Sequence, residues 1–226
     1  LETGGRVAAR FPSLSALPVV MPPDTLPCDD AAPAPVWSRD VTLEPGADLW
    51  VFGYGSLIWN PGFPFVSQSR AVLYGYHRRF CIASHRYRGT PEHPGLVLGL
   101  DVGGCCHGIA FRVAPASVPA VMDYLWEREM FTRAYRPRML RVRLDGAGGR
   151  RVTACTFVVD RQHGQYCGCL DDATMARRIA ASVGERGPNV EYLANTVEHL
   201  EQLGLRDRRL SALLAEVRRL TGEGHS

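Results

Sequence analysis

The sequence predicts an α+β fold, because strand and helix patterns occupy separate parts of the chain. Runs rich in β-branched and aromatic residues, separated by Pro/Gly turns, fill the region from Asp48 to Val113. A helical pattern follows at about Pro115–Phe131, two more strand patterns come next, and the C-terminal part is helical. The chain shows no internal repeat, so one mixed domain is expected.

The individual strands are predicted from short apolar runs that end in turn residues. They are "DLWVFGYG", "RAVLYGYHRRFCIAS", "GLVLGLD", "CCHGIAFRV", "YRPRMLRVRLDG" and "RVTACTFVVD". The connection "DGAGG" between the last two predicts a hairpin. Three helices are predicted at the end, in "DDATMARRIAASVGERG", "NVEYLANTVEHLEQLG" and "RDRRLSALLAEVRRLTG". The first two open with acidic or Asn residues and close near a Gly.

Residues 1–47 differ from the rest and are predicted to form an irregular arm ahead of a catalytic domain at residues 48–226. Half of the 16 prolines lie between Pro12 and Pro45, and proline interrupts both helices and strand ladders. No signal-peptide pattern is evident in this stretch. Several apolar side chains of the arm are candidates for docking on the domain: Phe11, Leu14, Leu17, Val19 and Trp37.

Composition narrows the classes of function. The chain has 226 residues, 46% of them apolar, and its net charge of +3 does not indicate nucleic-acid binding. No apolar run approaches the roughly 20 residues that a membrane span needs. All 26 basic residues are arginine, which excludes a Schiff-base lysine and a phosphate-loop lysine. We therefore expect a small-molecule substrate, with no nucleic-acid or membrane partner.

The seven cysteines do not resemble a secreted disulfide framework. His163, Cys167 and Cys169 suggest a metal site, but their spacing is not that of a zinc knuckle, and no second pair matches it. Structural cysteines in a reducing cytoplasm are the favoured interpretation. The prediction is a cytoplasmic protein without metal or cofactor.

The stretch "LWVFGYGSLIWNPGF" at Leu49–Phe63 joins a predicted buried strand to a glycine-rich turn. Gly53 and Gly55 flank Tyr54, and Ser56 follows. Glycines at a strand end allow backbone N–H groups to approach a ligand closely. A bulge or a tight corner explains the same residues, so this motif alone leaves both interpretations open.

The central helix carries a carboxylate on its apolar face. Val118, Met122 and Leu125 form one stripe, and the next position on that stripe is Glu129. Burial and the partial negative charge of the helix C-terminus would both raise the pKa of Glu129 toward the range useful in acid–base catalysis. An ion pair with Arg133 or Arg138 is the structural alternative. A glycine turn together with an inward carboxylate suits acyl transfer without a side-chain nucleophile.

Several segments, in the same order, resemble the ChaC-type γ-glutamylcyclotransferases. They are "VFGYGSLIW", "YGYHRRF", "HRYRGTPEHPG", "CCHGIAFRV", "YLWERE", "QYCG" and "GPNVEYLANTVEHLEQLG". The resemblance covers roughly residues 49–219. It departs from the family pattern at Arg133 and Ala134, where two glycines are common, and at Cys81, where a tryptophan is common.

The resemblance implies a small mixed β-barrel with packed helices, and a lyase that cleaves glutathione to 5-oxoproline and Cys-Gly without a cofactor. It assigns Glu129 as the general acid and base. It assigns substrate binding to Val51, Phe52, Gly53, Tyr54, Gly55, Ser56, Leu57, Tyr135 and Tyr166. Alternatives are a cyclotransferase of the same fold for other γ-glutamyl amines, a non-enzymatic regulator linked to cation transport and, more remotely, a thiol-redox protein. The oligomeric state, monomer or homodimer, is left open.

Overall fold

The computed structural model describes Trp37, residues 41–168 and residues 170–222. Its centre is a closed five-stranded barrel in the order β1-β3-β2-β4-β5. The strands are β1 (Leu49–Gly53), β2 (Ser67–Ser84), β3 (Gly95–Val113), β4 (Tyr135–Leu144) and β5 (Arg151–Val159). Neighbouring strands are antiparallel except β1 and β5, whose parallel pairing closes the barrel. The predicted α+β class and the barrel implied by the resemblance are confirmed.

Four helices accompany the barrel: α1 (Val118–Glu129), α2 (Asp172–Ala181), α3 (Asn189–Gln202) and α4 (Arg208–Thr221). A two-stranded ladder, β6 (Val183–Gly184) with β7 (Gly187–Pro188), links α2 to α3. Single 3₁₀ turns lie at Ser56–Ile58, Pro115–Ser117 and Ala147–Gly149. The predicted hairpin between β4 and β5 is confirmed by their antiparallel register.

The apolar residues divide between clusters on the two sides of the barrel strands. Val51 and Phe52 are adjacent on β1, fully buried, and belong to different clusters. This division follows from the alternation of side chains along a strand. The cluster that contains Val51 also takes in the apolar faces of the helices, including Met122 and Leu125 of α1 and Leu193 of α3.

The prediction of separate strands at "GLVLGLD" and "CCHGIAFRV" is wrong, because both belong to β3. Gly103 and Gly104, between the two segments, have φ of 111° and 68°. Only glycine adopts such values readily. The register with β2 shifts at this point, opposite Gly75, and resumes on either side. The glycine pair therefore forms an irregularity within one strand.

The predicted first C-terminal helix is also too long. α2 ends at Ala181, and Ser182 is already extended, with φ −101° and ψ 134°. Asp171 caps α2 by accepting a hydrogen bond from the Thr174 N–H. Asn189 opens α3 but does not cap it, because its buried side chain bonds both backbone groups of Leu96, at 2.6 and 2.8 Å. This one amide joins α3 to β3.

Part of the predicted arm packs with the domain. Trp37 and Val41 are buried in the apolar cluster that contains Val51. The Trp37 indole Nε1 donates a hydrogen bond to Asp123 Oδ1 at 2.8 Å. Docking is thus confirmed for Trp37. The other four docking candidates, Phe11, Leu14, Leu17 and Val19, lie outside the described residues.

Candidate active site

A cavity of about 60 Å³ lies where the glycine turn, the end of α1 and the barrel wall meet. The glycine turn, β3, α1, β4, β5 and α3 supply the lining, which consists of Tyr54, Gly55, Ser56, Leu57, Leu98, Glu129, Tyr135, Phe157 and Tyr192. The glycine turn and the inward carboxylate, far apart in sequence, therefore line the same space.

Residues 54–57, in the turn after β1, line this cavity. The hydrogen bonds of this turn start with the Ile58 N–H, which donates to the Gly55 carbonyl at 2.9 Å. The N–H groups of Ser56 and Leu57 precede that bond and are not used inside the turn. Gly55 has room beside it, since a Cβ there would come no closer than 3.7 Å to Leu98 Cδ1. Glycine thus keeps open a space that a longer side chain would occupy.

A buried arginine holds the start of this turn. The Arg78 side chain is 3% exposed and donates from Nε to the Tyr54 carbonyl at 2.9 Å. Its other nitrogens bond the His107 carbonyl and Asp207, the latter at 3.0 Å. Asp207 also accepts from the Leu210 N–H at the start of α4. Arg78 therefore connects β2, β3, the glycine turn and α4.

Glu129 occupies the position that the helical stripe predicts. It is the last residue of α1, below the buried Met122 and Leu125, and its side chain is 18% exposed. Burial raises the pKa of Glu129, while the adjacent Arg128 guanidinium acts in the opposite direction. The Arg128 Nε lies 3.2 Å from Glu129 Oε1. The expected ion-pair partners, Arg133 and Arg138, are therefore replaced by Arg128, which a helical-face argument does not select.

Arg128 ties the carboxylate to the glycine turn. It donates to Ser56 Oγ at 3.0 Å, and to the Asn60 carbonyl and Tyr124 hydroxyl at 2.7 and 2.8 Å. No hydrogen bond in the described part of the chain joins Ser56 to a histidine. The arrangement gives Ser56 a positioning role and does not resemble a nucleophilic triad.

Three tyrosines, Tyr54, Tyr135 and Tyr192, line the cavity together with Glu129. Burial raises the pKa of Tyr54 and Tyr135 well above the ordinary value, and that of Tyr192 to about 12. The nearby Glu129 charge adds to each of these shifts. All three hydroxyls are therefore protonated at neutral pH. The Tyr135 hydroxyl donates to the Leu98 carbonyl at 2.7 Å, which fixes its ring at the cavity wall.

The remaining predicted site residues lie elsewhere. Val51 and Phe52 are fully buried in β1 and do not line the cavity, and Gly53 ends that strand. Tyr166 also lies outside the lining, and its hydroxyl donates to Asp101 Oδ2 at 2.9 Å. Assigning the whole motif to substrate binding therefore included Val51, Phe52 and Gly53, which belong to the strand that precedes the turn.

Sequence reasoning missed Leu98, Phe157 and Tyr192. The two apolar residues look like ordinary strand core, so no local signal marks them. Tyr192 lies in "GPNVEYLANTVEHLEQLG", a segment that the resemblance includes. Membership of that segment was the sequence signal that could have identified Tyr192 as a site residue.

The suggested metal group is not assembled in the described part of the chain. No cluster of three or more His, Cys, Asp or Glu residues there could hold a metal ion, and Cys169 lies outside the described residues. Cys167 accepts a contact from Arg178 Nη1 at 3.3 Å. The described cysteines are free: Cys81, Cys105, Cys106, Cys155 and Cys167. Across these same residues, no helix has the length and apolar character needed to span a membrane.

The comparisons of this chain with known proteins all indicate the same protein family. The sequence model of ChaC-like proteins matches residues 49–220. A glutathione-specific γ-glutamylcyclotransferase of Escherichia coli (strain K12) is 38% identical over 175 residues, which are 77% of this chain and 75% of the relative. Glutathione-specific γ-glutamylcyclotransferase 1 of Rattus norvegicus is 31% identical over 207 residues, 90% of each chain.

One solved structure has the same fold. The crystal structure of a yeast γ-glutamyl cyclotransferase specific to glutathione superposes with a TM-score of 0.69 at 24% identity. The match covers 80% of this chain and all of the yeast chain.

Proposed function

Because this chain belongs to the ChaC-like protein family, we propose that it is a γ-glutamylcyclotransferase that cleaves glutathione to 5-oxoproline and cysteinylglycine. The names of the bacterial and rat relatives support this substrate. One structural observation carries the proposal: a partly buried carboxylate of raised pKa lines the same cavity as a glycine turn.

Substrate binding is the first task of this arrangement. The γ-glutamyl group enters the cavity beside Gly55, where the N–H groups of Ser56 and Leu57 are suited to hold its oxygen atoms. The protonated Tyr54 and Tyr192 supply further donors on the lining. Holding the γ-glutamyl chain in a folded conformer brings its α-amine close to its own γ-carbonyl carbon. Such preorganisation supplies a large part of the acceleration in an intramolecular reaction.

Glu129 then moves the protons that the reaction requires. The ionised carboxylate accepts a proton from the α-ammonium group, and the neutral amine attacks the γ-carbonyl carbon. A new C–N bond closes the five-membered ring, and the C–N bond to cysteine breaks. The protonated Glu129 returns its proton to the departing nitrogen. The second proton, which the ring nitrogen loses as it becomes an amide, follows through Glu129 to the same amine, so cysteinylglycine leaves as an ammonium. One carboxyl of raised pKa serves as base and then as acid, because burial narrows the free-energy difference between its two forms at neutral pH.

The other hypotheses make different demands on Glu129. A regulator without catalysis gains nothing from a carboxylate whose ionisation is hindered by burial, so the cavity favours an enzyme. A cyclotransferase for other γ-glutamyl amines would use the same chemistry. Ala134 and Cys81, where the chain departs from the family pattern, are buried in one cluster that Tyr135 packs against. Because Tyr135 lines the cavity, we expect this cluster to influence which γ-glutamyl substrate the protein prefers.

Identification of the reaction products tests the proposed function. The protein is incubated with glutathione, γ-Glu-Ala and γ-Glu-ε-Lys, and the products are identified by mass spectrometry. We expect 5-oxoproline and Cys-Gly in equal amounts, with glutathione the preferred substrate. Glutamate with Cys-Gly would indicate hydrolysis and reject the cyclisation scheme. A cytoplasmic location, expected from the sequence, stays a prediction.

A further inference from the structure

A second, outer cleft of about 210 Å³ adjoins the cavity already described. Glu129 and Tyr135 line both spaces. The two residues thus stand at the junction between an inner compartment, bounded by the glycine turn, and an outer one, bounded by residues 82–87 and the segment after α1. The mechanism above uses only the inner compartment.

The outer cleft combines an apolar wall with basic side chains. Ile82, Val97 and Phe131 contribute apolar surface, and Phe131 is 68% exposed although it is large and apolar. His85 and Arg86 also line the cleft. Both lie in "HRYRGTPEHPG", a segment for which the mechanism so far gives no role.

We propose that this outer cleft is the subsite for the leaving amine. Phe131 contacts the side chain of its first residue, and Arg86 pairs with its terminal carboxylate. The inference rests on the proposed function and adds to it what selects the leaving group. For glutathione, the cysteine side chain meets the apolar wall, and the glycine carboxylate meets the guanidinium.

The position of Glu129 is the main argument. The reaction requires one carboxyl to reach the α-ammonium first and the departing amine later, so the bond that breaks lies beside Glu129. With the γ-glutamyl group on the inner side of that residue, the leaving amine extends to the outer side. The cleft that begins there is the space available to it.

Arg86 has the freedom to accept a carboxylate. Its Nε pairs with Glu185 Oε2 at 2.8 Å, but the two side chains are 60% and 58% exposed. Exposed ion pairs of this kind contribute little to stability. The planar guanidinium fork offers further N–H donors that match a carboxylate. Glu185 therefore holds Arg86 at the cleft without preventing it from pairing with substrate.

The test compares glutathione with its glycine monoethyl ester, in which an uncharged ethyl ester replaces the terminal carboxylate. We expect wild-type kcat/KM for 5-oxoproline release to be roughly tenfold lower with the ester, the size expected for one partly exposed charge-assisted hydrogen bond. Arg86→Gln should lower kcat/KM for glutathione to the level of the ester and leave the ester unchanged.

Two matched controls separate this effect from the loss of a surface ion pair. Glu185→Gln breaks the same pair but keeps Arg86, so it should still discriminate between glutathione and ester. Arg219→Gln removes an exposed arginine whose Nε also lies 2.8 Å from a glutamate, on α4. It should leave both substrates unaffected.

The apolar wall has its own comparison. Phe131→Ala should raise KM for glutathione by several-fold and change kcat little, whereas γ-Glu-Gly-Gly, which has no cysteine side chain, should respond less. Equal losses for both substrates, or an Arg86→Gln variant that still discriminates against the ester, would overturn the subsite assignment. Absence of 5-oxoproline with the wild-type protein would instead reject the proposed function, and this inference with it.

Discussion

The acid–base behaviour of Glu129 depends on where the chain places a single side chain. It follows one helical turn after Leu125 and ends α1, so it is largely removed from water and lies at the negative end of the helix. Both effects favour the protonated form. Glu127, two residues earlier, is exposed on the other face of the helix.

The raised pKa of Glu129 predicts where activity falls on the acid side. The base must be ionised to accept a proton, so kcat/KM should decline as pH falls through the pKa of Glu129. An ordinary glutamate has a pKa of about 4.3, and the decline should therefore begin at higher pH. The pH profile of 5-oxoproline formation measures this directly. An acid limb at the ordinary value would contradict the assignment.

The ionisation of Glu129 should affect the stability of the fold in the opposite direction to activity, so that its contribution to stability decreases as pH rises. A folded-state pKa raised above the unfolded value means that the contribution to stability is full below the ordinary pKa and is lost as pH rises through the raised one. Glu129→Gln removes this dependence. Its melting temperature relative to wild type should increase from acidic to neutral pH, as thermal melts at several pH values can show.

Gly55 is the second residue whose identity matters by itself. Gly55→Val should fold normally, because the space next to its Cα is open, and should lose nearly all turnover by occupying the cavity. Circular dichroism and thermal melts check the fold, and 5-oxoproline release checks activity. A folded and fully active variant would exclude this turn as the binding site.

At the scale of elements, Arg78 joins the glycine turn to β2, β3 and α4. Arg78→Met keeps the length of the side chain but leaves the Tyr54 and His107 carbonyls and Asp207 without their donor. We expect a loss of about 2–4 kcal/mol in the free energy of unfolding, since buried partners remain unpaired. We also expect a fall in kcat/KM of one order of magnitude or more (roughly 10-fold) as the turn loses its support.

Asp207→Asn is the matched control for Arg78. It weakens the ion pair but keeps the bond from Arg78 to the Tyr54 carbonyl, and Asn remains a good cap for α4. Activity should be retained while stability decreases modestly. If Asp207→Asn lost as much activity as Arg78→Met, the effect would arise from general destabilisation and not from the turn.

Elements were predictable where the local pattern and the tertiary structure agree. The apolar stripe of α1 specifies its buried face, and the apolar run of β1 specifies a buried strand, without reference to the rest of the chain. The union of two segments into β3 was not predictable, because Gly103 and Gly104 read as a turn when pairing with β2 is unknown. Asn189 reads as a helix start, yet its amide is used by the backbone of Leu96, a residue far away in sequence.

At the scale of the whole molecule, the site is composite. The glycine turn and Glu129 were identifiable because each carries a pattern of its own, and the family segments occur in order. Leu98, Phe157 and Tyr192 come from β3, β5 and α3, and only barrel closure and helix packing bring them together. Their contribution depends on contacts that no local pattern records.

The boundary of the functional domain is also a property of the whole chain. Deleting residues 1–34 should leave activity and melting temperature nearly unchanged, since the ChaC-like match begins at residue 49. Deleting residues 1–47 also removes the buried Trp37 and Val41, and should cost about 3–5 kcal/mol or more, the range for truncating a large core side chain. Loss of soluble protein with the shorter deletion would place the boundary earlier.

Turnover of glutathione by Glu129→Gln, with Glu127→Gln as control, tests the central claim most directly. Gln keeps the shape of Glu and its capacity for hydrogen bonds but cannot accept the proton of the α-ammonium. We expect the Glu129 variant to fold, to bind glutathione, and to release 5-oxoproline about 10²–10⁴-fold more slowly than wild type. The Glu127 variant should match wild type. Full activity in both variants would show that Glu129 is only a buried ion-pair partner of Arg128 and that the base lies elsewhere.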